Sequence, residues 1–445
     1  MFKRKIYNEL LDWKQNYADH YACLIEGARR VGKSTIAKEF AIKEYKTYIF
    51  IDFSIAPKKI LSLFDEIYDL DKFFLKLQSY THVDLYPGES LIIFDEIQFF
   101  PKARQAIKHL VSYGKYHYLE TGSLISIKKN VQNILIPSEE HKIEMFPLDY
   151  EEFLWATNKS SEILRKISQD EKSVDNELNR SLMSDFRLYL AIGGMPQAID
   201  AYIKYNNLSI VDSVKKEIID LYYDDLKKID PTGRISKLFQ SIPSQLVNAN
   251  KHFVVSKSKN IRRTSKTDEL ISDLIDSKIV LPCYNVLNPN IDLFGTQDFN
   301  NFKLYLLDTG LFVTLIFNAA SNKDSEIYNK LLADKLAVNL GYVYENAVAQ
   351  ILVASHRELF YHTWQKENST HNFEIDFLLT DKQKIIPIEV KSSNNTSHKS
   401  LDNFIVKYSK YVGRKLLISQ KDFHKEKDIE FKPLYSLPFI LEKID

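Results

Sequence analysis

The chain has 445 residues, 44% of them apolar, and 60 Lys and Arg against 59 Asp and Glu give a formal net charge of +1. That is ordinary globular composition with room for two to four domains; it excludes a polycation, so any nucleic-acid contact must come from local patches. No run of about 18 apolar residues exists, MFKRKIYNELLDWKQ lacks the apolar stretch of a secretory signal, and Cys23 and Cys283 are far apart in apolar settings, so the expectation is a cytoplasmic protein without a membrane partner, a disulfide framework or a zinc site.

Tyr21 to Glu26 is a short apolar run of strand length, followed by Gly27-Ala28-Arg29-Arg30-Val31-Gly32-Lys33-Ser34-Thr35 and a helical pattern, IAKEFAIKEY. A G-x4-G-K-[ST] loop between a strand and a helix is the setting in which backbone N–H groups cradle phosphates, and the helix N-terminus adds its dipole. Lys33 is expected at the β- and γ-phosphates and Ser34 on Mg²⁺. Ser90 to Phe94 reads as a buried strand ending in Asp95-Glu96; Asp95 suits the Mg²⁺ shell and Glu96 the base for an attacking water, which points to ATP hydrolysis. Thr47 to Phe53 and Tyr116 to Thr121 fit the same parallel, doubly wound sheet. The second ends in Thr121-Gly122-Ser123, either a γ-phosphate sensor or an ordinary turn.

Past Leu148 the pattern turns helical, with a polar stretch at 157–180 that reads as mobile or surface-helical. Gly193-Gly194-Met195-Pro196 breaks a helix, either to bring backbone near a nucleotide base or to make a helix–helix corner. Arg187, Arg29 and Arg30 are all candidates for an arginine that reaches a neighbouring subunit's site. Residues 236–292 read as helix, basic loop, helix and strand. The loop holds Lys257, Lys259, Arg262, Arg263 and Lys266, while the following helix carries Asp268, Glu269, Asp273 and Asp276. That resembles a winged helix whose loop is a better phosphate contact than its helix is a base reader; a solvated loop is the alternative.

The last third reads as a strand into Asp308-Thr309-Gly310, a helix with Glu345, and strands at 359–364, 373–380 and 385–390. A helix at 401–411 and a strand at 414–418 follow. Asp376 and Glu389 on adjacent antiparallel strands can point to one spot and, with the Val390 carbonyl, form a hard oxygen site for Mg²⁺. Lys391 lies two residues from Glu389 on the same strand face and can act on a metal-activated water; Glu345 would complete the site from its helix. A salt-bridged sheet edge is the alternative.

The set GARRVGKST, LIIFDEIQ, LETGS, LAIGGMPQAI, YLLDTGL, YENAVAQIL and EIDFLL…IPIEVKSS resembles, along nearly the whole chain, the bacterial and archaeal AAA+ ATPases with an N-terminal AAA domain and a C-terminal restriction-endonuclease-like domain. That resemblance implies ATP and Mg²⁺ held through Lys33, Ser34, Asp95 and Glu96, and a PD-(D/E)xK set matched here at Glu345, Asp376, Glu389 and Lys391. Glu120 at an apolar strand end and Glu26 before the loop depart from expectation. The expected architecture is α/β. It comprises a P-loop doubly wound AAA+ domain at 1–150, a helical lid at 151–235, a winged-helix-like region at 236–300 and an α/β endonuclease-like domain at 301–445. Expected partners are DNA and, promoted by ATP, further copies of the chain. Two functions follow: an ATPase gating a Mg²⁺-dependent nuclease, or a nucleotide-switched module whose nuclease-like fold only binds.

Overall fold

A computed structural model describes residues 1–123, 135–246, 253, 264–318, 328, 330–333, 341–367, 369, 371–392 and 397–444. Two compact units emerge: Lys3–Phe146 with Asp276–Lys278, and the remainder, Met1–Phe2, Pro147–Ile275 and Ile279–Asp445.

Among its described residues the smaller unit is built on five parallel strands, β1 (Ala22–Glu26), β2 (Thr47–Asp52), β3 (Ser90–Asp95), β4 (His117–Gly122) and β5 (Glu140–Glu144), in the order β2-β3-β4-β1-β5. The central strands β3 and β4 are buried along their length, as near-continuous apolar runs in a parallel sheet must be. Pairing of Glu26 with Gly122 and of Phe94 with Glu120 brings the C-terminal ends of β1, β3 and β4 side by side, where an open α/β sheet binds its ligand. Strand β5 carries no apolar run; EHKIE gains its place by pairing along β1 from Ala22 to Glu26. Phe53, Phe64, Phe73 and Phe94 pack edge-on or tilted in the apolar layer beneath, with ring centroids 5.3 to 5.9 Å apart.

Among the described residues the larger unit holds eight strands: β6 (Val280–Val286), β7 (Gln297–Leu306), β8 (Leu359–Gln365), β9 (Asn372–Asp381), β10 (Lys384–Val390), β11 (Leu416–Ser419), β12 (His424–Glu426) and β13 (Ile429–Pro433). Their order is β12-β13-β11-β10-β9-β8-β6-β7. A helix at Gly341–Ala354, buried from Tyr342 to Leu352, leads into the antiparallel meander β8-β9-β10; the helix Lys399–Lys407 then crosses to β11, parallel to β10. The hairpin β6–β7 extends this sheet, because β6 pairs in parallel with β8. The boundaries anticipated at 235 and 300 therefore fall inside one compact unit, and the strand after the winged-helix-like pattern is part of the large sheet. Of the basic loop, Lys257, Lys259, Arg262 and Arg263 lie outside the described residues, and Lys266 falls in the helix Ser265–Asp276.

Gly193-Gly194 forms a helix–helix corner. The helix Asn176–Ile192 ends at Gly193, whose φ is +85°. The Gly194 amide donates to Asp308 Oδ2 at 2.5 Å, and a Cβ on Gly194 would lie 2.1 Å from the Leu148 carbonyl oxygen. The two glycine motifs flagged in the sequence, IGGMP and LLDTGL, thus clasp each other. Lys215, fully buried, donates to the carbonyls of Ala191 at 2.7 Å and Gly310 at 3.2 Å and bolts the same corner. The polar stretch at 157–180 is largely helical: Glu171 at its middle pairs with Arg414 at 2.8 Å and Lys432 at 2.5 Å.

Candidate functional site

Each unit holds one candidate site. In the smaller unit the loop between β1 and the helix Lys33–Glu44 requires glycine twice. Gly27 has φ +152°, and a Cβ there would stand 2.3 Å from the Met145 carbonyl oxygen; Gly32, with φ +105°, caps the helix. Lys33 is 7% exposed and its Nζ donates to the carbonyls of Gly27 at 3.0 Å and Ala28 at 2.9 Å. Val31 is buried, Ser34 half-buried and Thr35 exposed on the first turn; Arg29 is half-buried and Arg30 exposed, with φ +72°. Arg4 gave no signal in the sequence. Its guanidinium is buried and donates from Nη1 to the Val31 carbonyl at 3.0 Å and from Nη2 to the Phe146 carbonyl at 2.6 Å, so an N-terminal residue fixes the loop from behind.

Asp95 and Glu96 stand at the end of β3, next to β4. The buried Thr121 hydroxyl donates to Asp95 Oδ1 and accepts the Glu96 amide at 3.3 Å, which ties the three strand-end groups together. Glu96 adopts φ +54° and its carboxylate accepts from the Gln98 side-chain amide, so a buried glutamine missed in the sequence orients it. Glu120 is fully buried with no hydrogen-bond partner on either oxygen, and burial holds its carboxyl well above the ordinary range, with Glu140 adding to the rise. Beside it Arg104 and Glu140 form a buried bidentate pair at 2.6 and 2.7 Å. Burial also raises Glu26, against Lys142 and Arg104.

Burial lowers the Lys33 ammonium to about 8, with Glu96 and Asp95 opposing the drop. Phosphate oxygens favour the charged form, so the lysine's pKa rises in a nucleotide complex. Above about pH 8 the free protein must take up a proton to bind. Nucleotide affinity is therefore expected to stay level below pH 8 and to fall, by at most about tenfold per unit, as the pH climbs past it. Titrations with ATP at about pH 7, 8 and 9 measure this; a level profile across all three contradicts it.

In the larger unit the β9–β10 ladder runs from Asp381 opposite Lys384 to Phe377 opposite Ile388, and Asp376 and Glu389 follow directly on the two strands where the ladder ends. Both are buried, 7% and 4% exposed. Asp376 Oδ2 accepts the Val390 amide at 2.8 Å, and Lys391 Nζ pairs with Glu389 Oε1 at 2.5 Å. Glu389 Oε2 is buried without a hydrogen-bond partner. Glu345 enters from its buried helix and accepts from the Tyr305 hydroxyl at 3.3 Å. Burial first, then the Glu345 charge, with smaller contributions from Asp376 and Glu374, pushes that hydroxyl well above its ordinary range. Among the described residues no three His, Cys, Asp or Glu side chains are grouped to hold a metal ion. What the strands bring together is Asp376, Glu389 and Lys391, with Glu345 in the same electrostatic neighbourhood. A hard cation fits two carboxylates, one of which has a buried oxygen lacking a partner. Arg187, considered as an intersubunit arginine, is engaged within its own unit: Nε donates to the Leu332 carbonyl at 3.2 Å and Nη1 to Gln420 Oε1 at 2.9 Å.

Residues 19–154 match the family described as an AAA domain. Residues 183–323 and 340–437 match two domains of unknown function, DUF8612 and DUF4143. No curated protein matches the sequence. Similar solved structures include the Walker-type ATPase PABY2304 of Pyrococcus abyssi, at 14% identity over 71% of this chain and 96% of that one, with a TM-score of 0.44. A DNA replication initiation factor aligns at 12% identity over 74% and 92% with a TM-score of 0.23, and PCH-2 of C. elegans at 14% over 39% and 46% with a TM-score of 0.19. No helix among the described residues is long and apolar enough to cross a membrane. With the loop Gly27–Thr35 opening a helix, and Asp95 and Glu96 at the end of a neighbouring parallel strand, residues 19–154 are a P-loop ATPase domain of the AAA type.

Proposed function

We propose that ATP binding and hydrolysis by this domain are coupled to a Mg²⁺-dependent nuclease-like site in the larger unit that acts on DNA, in defence against foreign DNA. The observation that carries the nuclease reading is the Asp376 carboxylate held at the end of β10 by the Val390 amide, beside Glu389, with Lys391 paired to Glu389 and one buried Glu389 oxygen without a partner. The order helix, three-strand meander, helix, parallel strand around it supports an endonuclease-like core, with Glu345 on the first helix. Asp376 and Glu389 would hold the cation, with the Val390 carbonyl as a further oxygen donor. A bound Mg²⁺ supplies an acidified water and charge neutralisation at a phosphodiester. Lys391, paired with Glu389, would set its ammonium against the reacting phosphate. In the smaller unit Lys33 would bind the β- and γ-phosphates, Ser34 and Asp95 would hold Mg²⁺ there, and Glu96 would orient the attacking water.

Supercoiled plasmid and single-stranded DNA, incubated with Mg²⁺ or Mn²⁺ with and without ATP, test this. Metal-dependent nicking that changes with ATP is expected; intact DNA under every condition sinks the nuclease reading. The second reading is a nucleotide-switched module that binds DNA or protein without cutting. The close Lys391–Glu389 pair and the net charge of +1 favour it. DNA affinity that changes with nucleotide, with no cleavage, is its signature. ATP should also promote self-association, with Arg29, Arg30 or Arg187 as the residue that reaches a neighbour's γ-phosphate. In light scattering the Glu96→Gln protein with ATP should exceed the monomer mass; an unchanged mass refutes this.

A further inference from the structure

Lys303 belongs to none of the motifs considered so far. It sits on β7, opposite Cys283 of β6, and its side chain is 0% exposed. A fully buried ammonium has to be paired. Lys303 Nζ lies 4.6 Å from the centre of the Tyr361 ring on β8 and reaches Glu374 Oε1 of β9 at 3.0 Å, so it spans two strands to find its partner. Glu374 precedes Asp376 by two positions on β9, next to the register shift between β8 and β9. The charges of Lys303, Glu374, Asp376 and Glu345 all act on the buried Cys283 thiol, which places them in one region of poorly screened charge.

Resting on the reading of Asp376 and Glu389 as a cation site, we infer that Lys303 is its built-in counter-cation, a positioning residue that matches the acidic region to one divalent ion. Glu345, Glu374, Asp376 and Glu389 carry four negative charges; Lys303 and Lys391 return two. The remainder equals the charge of one Mg²⁺ or Mn²⁺. Without Lys303 the region would carry an excess and hold cations more tightly than a site that must release and rebind its metal. The lysine also keeps Glu374 paired.

The sign of the effect separates this role from plain scaffolding. Calorimetric Mn²⁺ titration of the full chain, without nucleotide or DNA, is compared with Asp376→Asn as the blank. Lys303→Met is expected to bind Mn²⁺ about tenfold more tightly and Glu374→Gln about tenfold more weakly. The double variant removes one charge of each sign and should return near the wild-type affinity. A scaffold lysine predicts the opposite: looser binding in Lys303→Met and a further loss in the double variant. Unchanged or weakened binding by a folded Lys303→Met protein overturns the inference. Should that variant not fold, Glu374→Gln, whose side chain is partly exposed, decides; affinity equal to wild type overturns it. If wild type shows no binding beyond Asp376→Asn, the cation site itself is refuted and the counter-cation with it.

Discussion

Glu96→Gln should bind ATP as wild type does and lose turnover by roughly 100-fold or more, the range spanned by removal of a positioned general base. Lys33→Ala should instead lose binding. The distinction follows from where the groups stand. Lys33 is the buried cation inside the loop, already donating to the two carbonyls that line it. Deleting it removes charge-assisted bonds to phosphate, a loss of roughly 10- to 100-fold in affinity. Glu96 lies beyond the end of β3 in a left-handed backbone conformation, oriented by the Gln98 amide and by the Thr121 hydroxyl on its own N–H. The neutral amide of glutamine keeps the shape and removes the base. Fluorescent-nucleotide titration and phosphate release measured on both variants separate binding from chemistry. Wild-type turnover by Glu96→Gln would take Glu96 out of the base role.

The P-loop domain was legible because its chemistry is local. Gly27, Gly32, Lys33 and Ser34 lie within one loop, and their glycines answer to backbone angles and a close Met145 carbonyl that no other residue tolerates. Strand β5 and Arg4 were not legible. EHKIE has no apolar pattern of its own and becomes a strand only because β1 offers an unpaired edge; Arg4 works through a tertiary contact with no spacing signature. Asp376, Glu389 and Lys391 could be paired from sequence because a short turn fixes the β9–β10 register. Lys303 could not. Its partner Glu374 lies 71 positions away, across two intervening strands, and reading it required the β6–β7 hairpin to be known as part of the same sheet as β9. The separation anticipated near residue 300 hid that sheet, since β7 itself spans it.

Asp376→Ala should abolish both metal binding and any metal-dependent cleavage, whereas Lys391→Ala should abolish cleavage and keep the metal. A single carboxylate leaves a hard cation mostly hydrated, while two carboxylates compete with water for it. Asp376→Ala also strips the Val390 amide of its acceptor at the strand end that carries Glu389, so the remaining ligand loses its support as well. Lys391 is not a ligand; it neutralises Glu389 at 2.5 Å. Its removal leaves that carboxylate more available to a cation, so Mn²⁺ affinity should hold or rise in Lys391→Ala while cleavage falls by about 100-fold or more. Calorimetry with Mn²⁺ and plasmid nicking, run on the same preparations, give the two readouts. Equal metal binding by wild type and Asp376→Ala, with neither cutting DNA in any nucleotide state, would refute the catalytic reading. The two carboxylates would then be a buried, lysine-braced sheet end, and the larger unit a binding module that the ATPase domain switches.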